Sequence, residues 1–132
     1  MGYDANSVAI GNNGAMSQPR DIYVRTTKMA SWAGSVSGSL SFDVSTAHLL
    51  YATLNGNVTS LAFTNPTTDG ILEVHLIQDG TGSRTLSGAA SSIKWTGGAA
   101  PTLTTTAGRR DIFQFRVSGG NFYELPRSMN VG

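Results

Sequence analysis

Val36-Ser37-Gly38-Ser39-Leu40-Ser41-Phe42-Asp43-Val44 alternates apolar and polar residues at period two, the pattern of a strand buried on one face and wetted on the other. Val36, Gly38, Leu40, Phe42 and Val44 share the inward side, and Ser37, Ser39, Ser41 and Asp43 the outward one. The rhythm recurs downstream. Leu49 to Leu54 is followed by Asn55-Gly56-Asn57 and then Val58 to Thr64; an Asn-Gly pair between two such runs predicts a hairpin. In Ile71-Leu72-Glu73-Val74-His75-Leu76-Ile77, Leu72, Val74 and Leu76 face one way, Glu73 and His75 the other. Asp79-Gly80-Thr81-Gly82 reads as a tight turn. Short strands are expected near Arg84–Leu86, Ser91–Trp95 and Thr102–Thr105. Phe113, Phe115 and Val117, then Ser118-Gly119-Gly120-Asn121, then Phe122 to Leu125 read as a final hairpin. No stretch carries a sustained 3.6-residue repeat. About eight short strands at close spacing predict an all-β domain, an antiparallel β-sandwich of jelly-roll type, with a barrel as the alternative. Trp32, Trp95, Phe42, Phe63, Phe113 and Phe115 are the expected core.

The chain has 132 residues, enough for one core. With 39% hydrophobic and only 13% charged residues it is neither disordered nor a helical bundle in composition. It has no cysteine, which excludes disulfides, thiolate metal sites and a Cys nucleophile. A net charge of +1 is too small for a sequence-blind hold on nucleic acid or anionic membrane, so neither is an expected partner. No apolar run matches a membrane-spanning helix or an export signal, and a soluble, intracellularly made protein is expected.

Residues 1–35 differ in texture, with Asn12-Asn13-Gly14, Pro19 and short apolar stretches at Val8-Ala9-Ile10 and Ile22-Tyr23-Val24. They read as an N-terminal arm ahead of a domain at 36–132. Some 30 extended residues reach roughly 100 Å, enough to cross onto a neighbouring subunit; the alternative is an arm that folds back as an edge strand around Ile22 to Arg25. Val8, Ile10, Ile22, Tyr23, Arg25, Arg109 and Arg110 are the candidate contacts with other subunits or a shell, since the Arg fork pairs bidentately with carboxylates at interfaces.

Reaction chemistry is sparse. His48 and His75 have no second ligand at metal spacing, and each reads as a turn or outer-face residue. No Gly-x-Ser-x-Gly elbow is present. A glycosidase pair could come only from Glu73, Asp79, Asp111 or Glu124, and Asp69 and Asp79 sit in turns where Asp caps its own backbone. Gly80-Thr81-Gly82-Ser83-Arg84-Thr85 lacks the Gly-Lys-Ser/Thr ending of a phosphate loop. No catalytic, metal or cofactor site is expected. Tyr3, Tyr51 and Tyr123 are candidates for stacking on sugars, with core or interface packing the favoured use of Tyr51 and Tyr123.

The ordered blocks Leu72–Leu76, Gln78–Leu86, Ile93-Lys94-Trp95-Thr96-Gly97-Gly98, Pro101–Ala107, Asp111–Phe115 and Gly120–Tyr123 together resemble a β-rich module of tailed-bacteriophage virion proteins, found in tail-fibre segments and small head proteins. With Asn55–Pro66 the resemblance covers about two-thirds of the chain. It departs at Leu86-Ser87-Gly88, where the module commonly has a Trp-Pro pair. Asn6-Ser7-Val8-Ala9-Ile10-Gly11 is similar to one turn of the head repeat of trimeric autotransporter adhesins, which points to a threefold assembly. These resemblances imply a structural virion protein, made in the host cytoplasm and placed on the capsid surface as a decoration or cement protein. Its expected partners are the major capsid protein and itself, as a homotrimer. The alternative is a tail-fibre or receptor-binding module that recognises host-surface carbohydrate.

Overall fold

The computed structural model describes residues 30–66 and 69–132. The described chain is all-β: β1 (Ser31–Asp43), β2 (Leu49–Thr64), β3 (Gly70–Gln78), β4 (Ile93–Lys94), β5 (Arg110–Ser118), β6 (Asn121–Glu124) and β7 (Ser128–Val131). They form one mixed sheet in the order β1-β2-β3-β5-β6-β4, with β7 also on β5. Antiparallel pairing, expected throughout, is found in β3–β5, β5–β6 and β5–β7. β1, β2 and β3 pair in parallel.

That parallel register dictates the shape. Ser31 pairs with Leu49 and Asp43 with Thr64, yet only Val44 to His48 joins the two strands. Six residue steps span about 21 Å at most, whereas a straight thirteen-residue strand runs about 40 Å. β1 must therefore bend back until its two ends are close. Backbone bonds record this closure: His48 and Leu49 N–H, at the end of the link, both donate to the Ala30 carbonyl just ahead of β1. β2 then stacks on β1 as a second turn of the same coil. Leu50 pairs with Val74 on β3, and isolated parallel bridges at Val58–Leu86 and Leu61–Ala89 extend the third turn beyond β3.

The bend lies at matching corners. In β1 the register shifts around Gly38, whose φ is +70°. Opposite it, β2 carries Asn55-Gly56-Asn57 between the partners of Val36 and Gly38. The hairpin expected at Asn55-Gly56 is thus corrected to a corner within one strand. A two-residue hairpin turn of this class needs positive φ at both central residues, and neither Asn55 nor Gly56 has it. Gly119 and Gly120 do, at +58° and +81°, and there the expected hairpin of β5 and β6 forms, with Ser118 opposite Asn121.

Inward residues of successive turns stack. Leu40, Phe42 and Val44 lie against Leu50, Leu54, Val58, Leu61 and Phe63, then against Leu72, Val74, Leu76, Phe113, Phe115 and Phe122. Aromatic rings run through this core, Phe42 to Phe63 at 6.4 Å, Phe63 to Phe115 at 5.5 Å and Trp95 to Phe115 at 5.5 Å between centroids. The last two pairs are edge-to-face, a geometry that adds to the hydrophobic term. Trp32, expected inside, is 38% exposed and stands edge-on to Phe42 at the first turn.

The segment between β3 and β5 is mostly irregular, and buried polar side chains hold it. Arg84–Leu86 and Thr102–Thr105, expected as strands, are loop here apart from the single bridge at Leu86. Gln78 Nε2 donates to the Arg84 and Thr104 carbonyls, and its Oε1 accepts from Arg84 N–H. Asp111 is 1% exposed and accepts from Thr104 N–H at 2.7 Å and Asn130 N–H at 2.9 Å. Asp79 caps its turn, accepting from Thr81 and Gly82 N–H and pairing with the Arg84 fork.

Two substitutions test the stacked coil by chemical denaturation. Phe63→Ala leaves a cavity beside three other rings and should cost about 4 kcal/mol. A Cβ on Gly88 would lie 2.5 Å from the Thr59 carbonyl oxygen of the turn below; Gly88→Ala should cost about 2 kcal/mol by forcing the turns apart. Exposed Thr102→Ala should change stability by less than about 0.5 kcal/mol. A neutral Gly88→Ala would contradict the close stacking of Thr59 and Gly88.

Candidate functional site

The outward face of β2, β3 and β5 carries a cluster of polar side chains. Parallel register sets Tyr51 beside His75, and antiparallel register sets Glu73 beside Gln114 and His75 beside Ile112. The Tyr51 and His75 rings lie 4.7 Å apart, centroid to centroid. Arg110 Nη1 is 3.1 Å from His75 Nδ1, and His75 Nε2 is 2.7 Å from Glu73 Oε2. Guanidinium can only donate, so Nδ1 must accept, and the ring proton sits on Nε2 and is donated to Glu73. Gln114 Nε2 donates to Glu73 Oε1 at 2.9 Å. The His75 hydrogen bond, and after it that of Gln114, holds the Glu73 carboxyl below its ordinary value.

This network is closed. Both imidazole nitrogens and both Glu73 oxygens have partners, so His75 offers no free lone pair to a substrate. The remaining carboxylates considered for a hydrolytic pair are likewise engaged: Asp111 and Asp79 in the backbone contacts above, and Glu124 with Arg127. Burial works to raise the Glu124 carboxyl, and the Arg127 fork at 2.6 and 2.7 Å with the Thr96 N–H outweighs it, leaving a net lowered value. Among the described residues no three His, Cys, Asp or Glu side chains gather as a metal site, and no helix is long and apolar enough to cross a membrane.

Alongside the closed network lies an open row. Ile71 pairs with Arg116, Arg116 with Tyr123, and Tyr123 with Lys94. Ile71 and Tyr123 are 38% and 46% exposed. An exposed aromatic ring flanked by two cations, with an aliphatic side chain at the end, is a surface suited to an acidic partner. Arg116 and Lys94 present cationic donors to solvent on either side of the Tyr123 ring.

Of the candidate contacts, Val8, Ile10, Ile22, Tyr23 and Arg25 lie outside the described residues, as does Tyr3. Arg109 and Arg110 diverge despite adjacency. Arg109 is exposed and reaches the Asn130 carbonyl at 3.4 Å, while Arg110 is half-buried in the His75 network. His48 is exposed in the link between β1 and β2. The Glu73–His75 face was legible from alternation. Tyr51 as the third member was not, because only parallel pairing brings it there; Tyr123 was singled out as a stacking residue, but its grouping with Arg116 and Lys94 was missed, since strand pairing alone sets them side by side. Comparisons with protein-family models, curated proteins and solved structures find no match.

The Glu73 bonds have a measurable pH signature. A carboxyl lowered in the folded state, against about 4.3 in the unfolded chain, contributes stability that is present above the unfolded value and lost as pH falls through the folded one. Glu73→Gln should therefore flatten the acid limb of a stability–pH curve as pH falls below about 5. An acid limb identical to that of the parent chain would show that the His75–Glu73 bond does not form in solution.

Proposed function

We propose that this chain is a structural virion protein of a tailed bacteriophage, a decoration or cement protein that binds the major capsid protein on the assembled head and bridges its subunits. The role is mechanical. The coil is a rigid body on the shell, and the arm read at residues 1–35, whose last five residues belong to β1, would reach toward neighbouring subunits of a homotrimer. Binding to the assembled shell and not to dissociated subunits stabilises the shell by mass action. The family resemblance of Asp69–Tyr123 motivates the reading, and one surface observation supports it: the Ile71–Arg116–Tyr123–Lys94 row is open, rigidly mounted on paired strands, and composed like an interface centre. Engagement of Glu73, Asp79, Asp111 and Glu124 within the fold favours this role over catalysis.

The same row gives the second reading its support. Tyr123 between Arg116 and Lys94 is a stacking platform for an acidic host-surface sugar, as a tail-fibre or receptor-binding module would need.

Immunogold labelling of intact virions with antibody against this chain separates the two. Label spread over the head is the expected result; label confined to the tail or its tip would overturn the capsid assignment in favour of glycan recognition. On heads, Tyr123→Ala with Arg116→Glu should weaken binding about 30-fold or more with unchanged thermal stability. Unaltered affinity would remove this row from the docking surface.

A further inference from the structure

An asparagine followed by glycine loses its side-chain amide readily, because Gly has no Cβ to hinder attack by its own backbone nitrogen and swings that nitrogen freely toward the side chain. Among the described residues the pair occurs once, at Asn55-Gly56, and the fold sets it at the corner of the second turn. There β2 advances four positions, from Leu54 to Val58, while β1 advances two, from Val36 to Gly38. Neither register pairs residues 55–57 with a partner on β1 or β3. Asn55 is exposed, and among the described residues no hydrogen bond holds its amide.

The other asparagines of the described chain are guarded. Asn57 Oδ1 accepts Thr85 N–H at 3.1 Å, and the nitrogen that would attack it, that of Val58, donates to the Thr85 carbonyl. Behind Asn121, the Phe122 N–H donates to the Ser92 carbonyl. Asn65 precedes Pro66, whose nitrogen has no proton to give up, and Asn130 precedes the stiff, β-branched Val131. In the related Asp79-Gly80 pair, the Arg84 fork and the Thr81 and Gly82 N–H groups clamp the carboxylate. The corner cannot shed its glycine, since a Cβ on Gly56 would lie 2.8 Å from Ser37 Cβ. Packing thus demands at position 56 the residue that least protects Asn55.

We propose that Asn55 is a site of spontaneous covalent modification in the folded protein. The Gly56 nitrogen gives its proton to water and bonds to the Asn55 side-chain carbonyl carbon; the bond from that carbon to the amide nitrogen breaks, and ammonia leaves. Water then opens the cyclic imide at either carbonyl, giving an aspartate or an isoaspartate at position 55. Both products add a negative charge. In the isoaspartate the main chain runs through the side-chain methylene, one bond longer, between Leu54 and Val58, whose partners Val36 and Gly38 fix the spacing across the corner. That product therefore loosens the second turn against the first, and the coil ages from this corner. The inference is independent of the virion reading.

The test is to age the full-length chain in mildly alkaline buffer, folded and in guanidinium, and to map the products by peptide mass spectrometry with isoaspartate-specific fragmentation. Mapping separates Asn55 from Asn13-Gly14, the chain's other Asn-Gly pair, which lies outside the described residues. Conversion at Asn55 in the folded chain should run within about tenfold of its rate in the denatured chain, while folding slows conversion at Asn57 by about a hundredfold or more. Folding that slows Asn55 by more than about tenfold would show that the corner holds the amide, and would overturn the proposal. Asn55→Gln should abolish the conversion mapped to the corner; isoaspartate persisting there would move the site to Asn57 and also overturn it. The aged fraction carrying isoaspartate at position 55 should unfold at lower denaturant than Asn55→Asp, which has the same charge and a normal main chain. Equal midpoints would overturn the claimed loosening of the corner.

Discussion

A five-residue link between two parallel strands governs this molecule. Parallel neighbours ordinarily require a crossover of a dozen residues or more, and Val44 to His48 is far too short to return along a straight β1. The chain meets the constraint by bending the strands themselves. Once β1 closes into a turn, its period-two alternation places every second residue inside the coil, and β2 inherits the same inside by pairing with it. The core is therefore axial. Leu40 stacks on Leu61 and Phe42 on Phe63, each inward residue covering one in the next turn.

Stacking alone does not order the irregular stretch between β3 and β5. Gln78 and Asp111 do so from inside, each satisfying backbone groups that would otherwise be buried without partners, a deficit of about 1–3 kcal/mol apiece. Thr104 is clasped from both sides, its carbonyl by Gln78 and its N–H by Asp111, and Asp111 also takes the Asn130 N–H of β7. Inward polar residues, which a search for catalysis would single out, act here as clips. Outside, the His75 network knits β3 and β5 together and leaves the row through Arg116 and Tyr123 as the open part of that face.

What sequence reveals here is facing, and what it conceals is partnership. Alternation in Val36–Val44 and Leu72–Leu76 correctly separates buried from wetted residues, because side-chain period is a local property of a strand. Which strand lies alongside is not local. Asn55-Gly56 carries strong hairpin chemistry, yet the parallel partners on both flanks hold it as a corner without positive φ. Gly119-Gly120, with the same propensity and no such competition, turns. Glu73 and His75 are readable as neighbours on one face; Tyr51 and Arg110 join them only through the registers of β2 on β3 and β3 on β5. Trp32 misled through size, since a large side chain at the end of a coil is apolar in character but only half covered.

The parallel coil is the claim on which the core and the His75 network both rest. Backbone NOE connectivity in solution tests it directly. Amide-to-Hα cross-peaks linking Ala33 with the strand around Tyr51, and Tyr51 with the strand around His75, are expected, eighteen and twenty-four positions apart. Close Hα–Hα cross-peaks across Asn55-Gly56, joining Leu49–Leu54 to Val58–Thr64 as an antiparallel pair, would contradict the coil and restore the hairpin.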